Sequence, residues 1–237
     1  MEKIDKNGII TKVTGPLIVA KNMESSQVYD VVKVSNRRLT GEIIELRGGN
    51  ASIQVYEETA GIGPGEPVYF TKEPLSVELG PGLIGSIFDG IQRPLTKIYE
   101  VDKRIIPAGI DVPRLDRQKL WNFIPEVKIG EAVSSGDVLG IVQETSIIKH
   151  FIMVPIGKNE RVIQGKVTYV FSGEGTIDEV VAKIEKPNGQ ILEVKMMQTW
   201  PVRKKRPYKK KVTPQKPMIT GQRVIDTFFP ITKGGVA

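Results

Sequence analysis

The chain has 237 residues, of which 40% are hydrophobic and 26% charged, a composition typical of globular domains that excludes collagen-like and low-complexity classes. Its length predicts one or two domains. It has no cysteine and one histidine, which excludes disulfides, thiolate metal sites and cysteine nucleophiles, and nearly excludes the usual zinc sites. No segment approaches the roughly 18 uninterrupted apolar residues of a spanning helix, so we expect a soluble chain.

The positive charge is local. The chain carries 34 basic and 27 acidic residues, a net charge of +7. Nine of the basic residues lie between Lys195 and Lys216, a stretch without Asp or Glu. Without them the remainder has 25 basic and 27 acidic residues, a net charge of −2. The overall charge therefore says little about the rest of the surface.

The first seventy residues contain short β-branched runs separated by turns. This pattern predicts a small antiparallel barrel or sandwich. Gly48-Gly49-Asn50 supplies the positive φ angles of a tight hairpin. The predicted strands are Ile9–Thr14, Leu17–Ala20, Val28–Val34, Leu39–Leu46 and Ala51–Tyr56.

Glycine and proline then become frequent over residues 61–95, which predicts loops with a short helix-like piece at Gly82–Ile91. A second β-rich block follows from Gly109 to about Val194, and we interpret it as an inserted domain. Its strand candidates are Val127–Ile141, Phe151–Pro155, Arg161–Phe171 and Glu179–Glu185.

The last forty residues are irregular. Four prolines in Trp200–Pro217 exclude one continuous helix or a central strand. Gly221–Phe229 is predicted to form a short helix with Thr220 as its N-cap. Val236-Ala237 fits the first step of a further strand.

No catalytic motif is present. A phosphate-binding P-loop needs G-x-x-x-x-G-K-[ST], and the nearest fragment, Gly157-Lys158-Asn159, fits a surface turn. His150 lies between apolar runs, which favours a structural histidine over a general base. We therefore expect no catalytic, cofactor-binding or metal-binding residue in this chain.

Two further patterns have alternative interpretations. The basic run at Lys195–Lys216, with Tyr208 among its cations, fits a nucleic-acid or anionic-lipid patch or a solvated loop. Residues 127–140 have the G-x-x-V-x-x-G-D-x-L-G cadence of barrel-sandwich hybrid domains such as biotinyl and lipoyl carriers. Because no lysine is framed on a presenting hairpin, we favour that fold without the carrier function.

At ELGPGLIGSIFDGIQRPL, residues 78–95, the chain closely resembles the catalytic A (alpha) subunit of V-type and archaeal-type (V/A) rotary ATPases and ATP synthases. The resemblance runs through the whole chain in family order. The other matching segments are Val13 with Gly15-Pro16, residues 41–44, 53–59, 65–68, 74–79 and 136–140, His150 with residues 153–155, residues 200–203 with Arg206-Pro207, and residues 220–230 with 233–235.

The resemblance implies a mainly β fold in four regions. Residues 1–70 are expected to form a six-stranded-type β-barrel of the hexameric crown. Residues 111–190 are expected to form the barrel-sandwich-like insertion, or bulge, that distinguishes the A subunit from its paralogues. Residues 71–110 and 191–237 are expected to open an α/β P-loop nucleotide-binding domain.

The implied function is ATP hydrolysis or synthesis coupled to proton or sodium transport, with ATP/ADP and Mg²⁺ bound by the full-length subunit. The family's Gly-Pro-Phe-Gly-x-Gly-Lys-Thr loop follows shortly after Lys-Gly-Gly, and this chain ends just before it. We therefore expect the 237 residues to be inactive alone and to supply assembly contacts through exposed barrel edges and loops. Whether this chain is itself an enzyme stays open.

The implied partners are the B subunits of an alternating A3B3 hexamer and the central-stalk and peripheral-stalk subunits. No direct nucleic-acid contact is implied, and the membrane is reached only through the complex, on its cytoplasmic face. Two alternatives stand beside this hypothesis. One is a stand-alone β-barrel module that binds nucleic acid through residues 195–216, and the other is a regulatory protein that competes for the crown without catalysis.

Overall fold

The computed structural model describes residues 6–103, 106–157, 162–206 and 213–235. The chain packs as two units, residues 1–205 and 206–237. The elements of the first unit are β1 (Lys6–Thr14), β2 (Leu17–Lys21), β3 (Asp30–Val34), β4 (Leu39–Arg47), β5 (Asn50–Val55), β6 (Pro67–Pro74), β7 (Ser76–Leu79), α1 (Leu95–Val101), β8 (Trp121–Pro125), β9 (Ala132–Ser134), β10 (Val138–Gln143), β11 (Lys149–Met153), β12 (Gln164–Val170), β13 (Gly173–Gly175), β14 (Val180–Glu185), β15 (Ile191–Lys195) and β16 (Gln198–Pro201). The second unit contains α2 (Arg223–Phe228).

The first six strands form a closed antiparallel barrel in the order β1-β2-β5-β4-β3-β6, with β6 pairing back to β1. The alternation of apolar and polar residues predicted these strands, and the structure shows it in β5. Ala51, Ile53 and Val55 are buried, and the residues between them are half-exposed. Gly48 and Gly49 have φ angles of +52° and +79° and join β4 to β5 as predicted.

Closure changes one expectation. We predicted assembly contacts through exposed barrel edges and loops, but within β1–β6 every strand has two neighbours. The strand-edge part of this prediction is therefore wrong, and the part that concerns loops stays a prediction.

Two four-stranded sheets, β11-β10-β8-β13 and β15-β14-β12-β9, enclose the second core. Leu139 of the G-D-x-L-G cadence is fully buried, and Gly140 packs where a Cβ would collide with the ring of Phe123. Val127–Ile141 was predicted as one strand, and this prediction is wrong because a turn separates β9 from β10. Other large buried side chains of this core include Leu115, Trp121, Ile152, Ile177, Ile184 and Met196.

A third, two-stranded sheet pairs β7 with β16, so segments before and after the two-sheet region return to each other. Residues 82–91 are not helical, which corrects the sequence prediction. Gly82 and Gly85 have φ angles of +105° and +84°, which a right-handed helix excludes, and α1 begins only at Leu95.

In the second unit, α2 begins after Gln222, so the prediction of Thr220 as N-cap is wrong. The Thr220 hydroxyl instead donates to Asp226 Oδ1 at 2.8 Å and accepts the Gln222 N–H. The strand predicted at Val236 lies outside the described residues. Among the residues described, neither α1 nor α2 has the length and hydrophobicity needed to cross a bilayer.

Candidate functional site

Four glutamates of the first unit have largely buried side chains: Glu42, Glu57, Glu78 and Glu144. Their side chains are between 2% and 13% exposed. A buried carboxylate is stable only when cations or N–H groups satisfy its oxygens. Each of the four accepts bonds from a segment distant in sequence, so we call them the junction carboxylates.

Glu57, just after β5, joins three segments. Its Oε1 accepts the Thr40 N–H at 2.8 Å, and its Oε2 accepts the Gly109 N–H at 2.8 Å and Arg93 Nη1 at 2.9 Å. Arg93 Nε also donates to Asp89 Oδ2 at 2.6 Å. Burial opposes ionisation of Asp89, but hydrogen bonds from Arg93 outweigh it and hold the pKa of Asp89 below its usual value.

Gly109 approaches the barrel very closely. Its φ angle is +70°, and a Cβ at this position would overlap the carbonyl oxygen of Arg37, between β3 and β4. Only glycine fits both the conformation and the space. The Gly109–Glu57 bond therefore depends on the absence of a side chain.

Glu42 of β4 joins the barrel to the chain beyond β16. Arg203 donates from Nη2 to Oε2 at 2.6 Å and from Nε to Oε1 at 3.3 Å. Its guanidinium lies 4.3 Å from the ring centroid of Tyr29. The Tyr56 hydroxyl donates to Glu42 Oε2 at 2.9 Å, and burial together with this carboxylate raises the pKa of Tyr56 to about 12.

Glu144 holds the loop that follows β7. Its Oε1 accepts the Gly82 and Ile84 N–H groups at 2.8 and 2.9 Å, and its Oε2 lies 3.2 Å from Nδ1 of His150 on β11. His150 thus has a carboxylate partner that its sequence neighbours did not reveal. This contact suits a structural histidine, because Glu144 already serves the loop.

Glu78 of β7 completes the set. Its Oε1 accepts Arg117 Nη2 at 2.6 Å. Its backbone N–H donates to Gln92 Oε1 at 2.6 Å, and its carbonyl oxygen accepts from Gln92 Nε2 at 2.6 Å. The strand that pairs with β16 is thereby held to the loop before α1 and to the approach to β8.

Two cations of the basic run have carboxylate partners among the described residues. Lys195 Nζ lies 3.5 Å from Asp178, and Arg203 is bound to Glu42. Residues 207–212 of the run, and Lys158 and Asn159 of the P-loop-like fragment, lie outside the described residues. No group of three His, Asp or Glu side chains suited to a metal ion occurs among the described residues. The expectation that the chain holds no catalytic, cofactor or metal residue stays a prediction.

Comparison with known families gives two matches in chain order. Residues 10–72, which include most of the closed barrel, match the model of the ATP synthase alpha/beta family beta-barrel domain. Residues 112–203, which include both four-stranded sheets, match the ATP synthase alpha/beta subunit barrel-sandwich domain. The chain belongs to the ATP synthase alpha/beta family. Together the two matches cover more than half of its length.

Curated relatives identify the members of the family that this chain resembles. The chain is 58% identical over 230 residues to the V-type ATP synthase alpha chain of Thermoanaerobacter sp. strain X514, covering 97% of this chain and 38% of the relative. The alpha chains of Acetivibrio thermocellus and Clostridium novyi are 57% and 55% identical, with coverage of 97% and 98% of this chain and 38% of each relative. The chain thus spans 38% of the length of these relatives. The matches support the rotary-ATPase hypothesis and not the nucleic-acid alternative.

Proposed function

We propose that this chain is the N-terminal portion of the catalytic alpha (A) subunit of a proton- or sodium-translocating V/A-type ATPase or ATP synthase. The observation that carries the proposal is the order of its domains. A closed six-stranded barrel precedes a barrel-sandwich, each matches its own family model, and V-type alpha chains are 55–58% identical across almost the whole chain.

The proposed division of labour follows the four regions of the sequence. Residues 1–70 form the crown barrel, residues 111–190 form the bulge, and residues 71–110 and 191–237 belong to the nucleotide-binding domain. The pairing of β7 with β16 supports this division, because it joins residues 71–110 to residues 191–237, the two regions that flank the bulge in sequence.

Catalysis in the full subunit would use ATP or ADP with Mg²⁺ at a P-loop, by positioning and electrostatic stabilisation. No segment of these 237 residues matches the P-loop motif. The proposed role of this portion is structural: the barrel contacts the neighbouring B subunits of the A3B3 ring, and the bulge faces the stalk subunits. The complex would lie on the cytoplasmic face of the membrane.

The first test is nucleotide binding by the 237-residue chain, measured by titration calorimetry with Mg-ATP. We expect no saturable heat in the micromolar range, because the sequence contains no P-loop motif to supply a phosphate-binding loop and its lysine. Saturable micromolar binding would contradict the proposal. A V-type alpha chain that contains the P-loop serves as the positive control.

The second test concerns ring assembly. Ile44 lies at the irregularity of β4 and is 44% exposed, whereas Ile147, between β10 and β11, is 88% exposed. The chain is mixed with B subunits from the same source, and complexes are counted by native mass spectrometry. We expect Ile44→Glu to weaken association about tenfold and Ile147→Glu to leave it unchanged, because a charge desolvated in an interface is costly. Equal effects would contradict a lateral contact through the barrel wall.

The regulatory alternative is tested by adding the chain to rings assembled from full-length alpha and B subunits. If the chain displaces full-length alpha subunits from the ring and abolishes ATP hydrolysis, a competing role is favoured. If the chain joins B subunits but does not displace the full-length subunit, the role of an assembly portion is favoured.

A further inference from the structure

A cavity of about 290 Å³ lies between one wall of the barrel and the segments that follow it. The barrel wall contributes Lys33 and Thr40, and the opposite wall contributes Arg93 and Arg114. This volume is at the lower limit of small-molecule sites, which suits one small group better than a whole nucleotide.

Lys33 is incompletely bonded in this cavity. Its ammonium is half-buried and donates one hydrogen bond, to Thr40 Oγ1 at 3.0 Å. No carboxylate of the described residues lies within ion-pair distance of it. Since an ammonium has three N–H donors, two of those of Lys33 have no acceptor among the described residues.

The charges around Lys33 are mixed. Burial lowers the pKa of Lys33, Asp111 and Glu57 oppose this shift, and Arg114 and Arg93 add to it. Both oxygens of Glu57 are already bonded to Thr40, Gly109 and Arg93. Asp111 and a further lining carboxylate, Glu73, are exposed and therefore largely solvated.

The arginines near this cavity divide into two kinds. Arg93 is neutralised by Asp89 and Glu57, and Arg117, in the adjoining cleft, by Glu78. Arg114 is half-buried and, within the described part of the chain, makes no hydrogen bond or ion pair. The cavity thus presents two cations with unused donors, and an acceptor of negative charge would satisfy both.

We propose that this cavity binds a phosphate-class oxyanion between Lys33 and Arg114, with the Thr40 hydroxyl as a third donor. The Thr40 Oγ1 accepts from Lys33, so its own hydrogen is available to the ligand. Hydrogen bonds from cations to phosphate oxygens are the strong, short kind, and arginine can bind such oxygens in a bidentate manner. The site is built without a P-loop, so the proposal does not depend on the proposed ATPase role.

The test is titration of the 237-residue chain with inorganic phosphate, by calorimetry and by backbone amide shifts, against chloride at equal ionic strength. We expect saturable binding in the millimolar range, with shifts at residues 31–33 and 110–114. Lys33→Met and Arg114→Gln should each weaken binding about tenfold or more, the effect of losing one charge-assisted bond. Lys12→Gln removes the same charge from an exposed position of β1 and should change nothing.

The oxyanion could be the phosphate group of a phosphorylated metabolite or free inorganic phosphate, and titration with glycerol phosphate distinguishes the two. Tighter binding than inorganic phosphate assigns the site to a phosphorylated metabolite, and equal or weaker binding assigns it to the free ion. Arg114→Gln keeps the test valid if Lys33→Met does not fold, because Arg114 makes no hydrogen bond or ion pair with the described residues that the substitution would break. Absence of saturable binding, or affinities equal in Arg114→Gln and Lys12→Gln, would overturn the proposal.

Discussion

The substitution Gly109→Ala tests the junction at Glu57. Two costs add. Alanine at a φ of +70° costs about 1–2 kcal/mol. The new Cβ would also overlap the Arg37 carbonyl, so the segment must move and lose its bond to Glu57, which is worth about 1.5–3 kcal/mol for a charged acceptor.

Gly189→Ala is a matched control, because Gly189 has a φ of +77° but open space around its Cβ position. It bears the conformational cost without the overlap. We expect Gly109→Ala to be less stable than Gly189→Ala by about 1.5–3 kcal/mol in the free energy of unfolding measured by urea denaturation. The melting temperatures should differ by roughly 3–12 °C.

A double-mutant cycle checks the mechanism. If the alanine acts by breaking the Glu57 bond, Glu57→Gln should cost less in the Gly109→Ala background than in the parent chain. Equal stability of the Gly109→Ala and Gly189→Ala chains, or additive effects of Gly109→Ala and Glu57→Gln, would refute the reasoning.

Three further predictions concern the Glu42 junction and the basic run. Because the pKa of folded Tyr56 is raised from 10.0 to about 12, its stabilising contribution is complete below pH 10 and is lost as the pH rises to 12. A shift of this size would correspond to roughly 2.7 kcal/mol, which exposure of the ring to solvent reduces to about 1 kcal/mol. The free energies of unfolding of the parent and Tyr56→Phe chains, measured by urea denaturation, should therefore converge by about 1 kcal/mol between pH 10 and pH 12. Arg203→Gln should lower the melting temperature more than Arg203→Gln combined with Glu42→Gln, because the single change leaves a buried carboxylate without its cation; the reverse order would argue against the pair. Reversing the charges of Lys204 and Lys205 together should leave a cooperative melt, and its loss in calorimetry would show that these lysines hold the fold.

Most of the barrel was predictable because the sequence patterns that specify its strands and hairpins are local. Alternation in β5 and the Gly48-Gly49 hairpin specify a strand and its partner within a few residues. The cadence around Leu139 identified a second β core for the same reason. The three-residue strands β9 and β13 are too short to show a period, and they form because longer neighbours pair with them.

The junction carboxylates were not predictable. Glu42 and Arg203 are 161 residues apart, and Glu144 and Gly82 are 62 apart. A glutamate that will be buried in this way has no local pattern that separates it from a solvated one, since topology alone brings its partners. The misplaced helix at residues 82–91 has a related cause: its apolar spacing is helical, but the backbone of this loop is fixed by Glu144 and by Asp89, which accepts two backbone N–H groups.

These junctions explain how the barrel is held in place within the first unit. Between β6 and β7 the chain has a single linking residue, Leu75, whose carbonyl accepts the Val202 N–H at 2.9 Å. A barrel attached only there would be free to turn about the link. The bonds of Glu42 to Arg203 and of Glu57 to Arg93 add two attachments at other points of the wall. Because hydrogen-bonded charges fix direction where apolar contacts tolerate sliding, three separate attachments hold the barrel in one orientation.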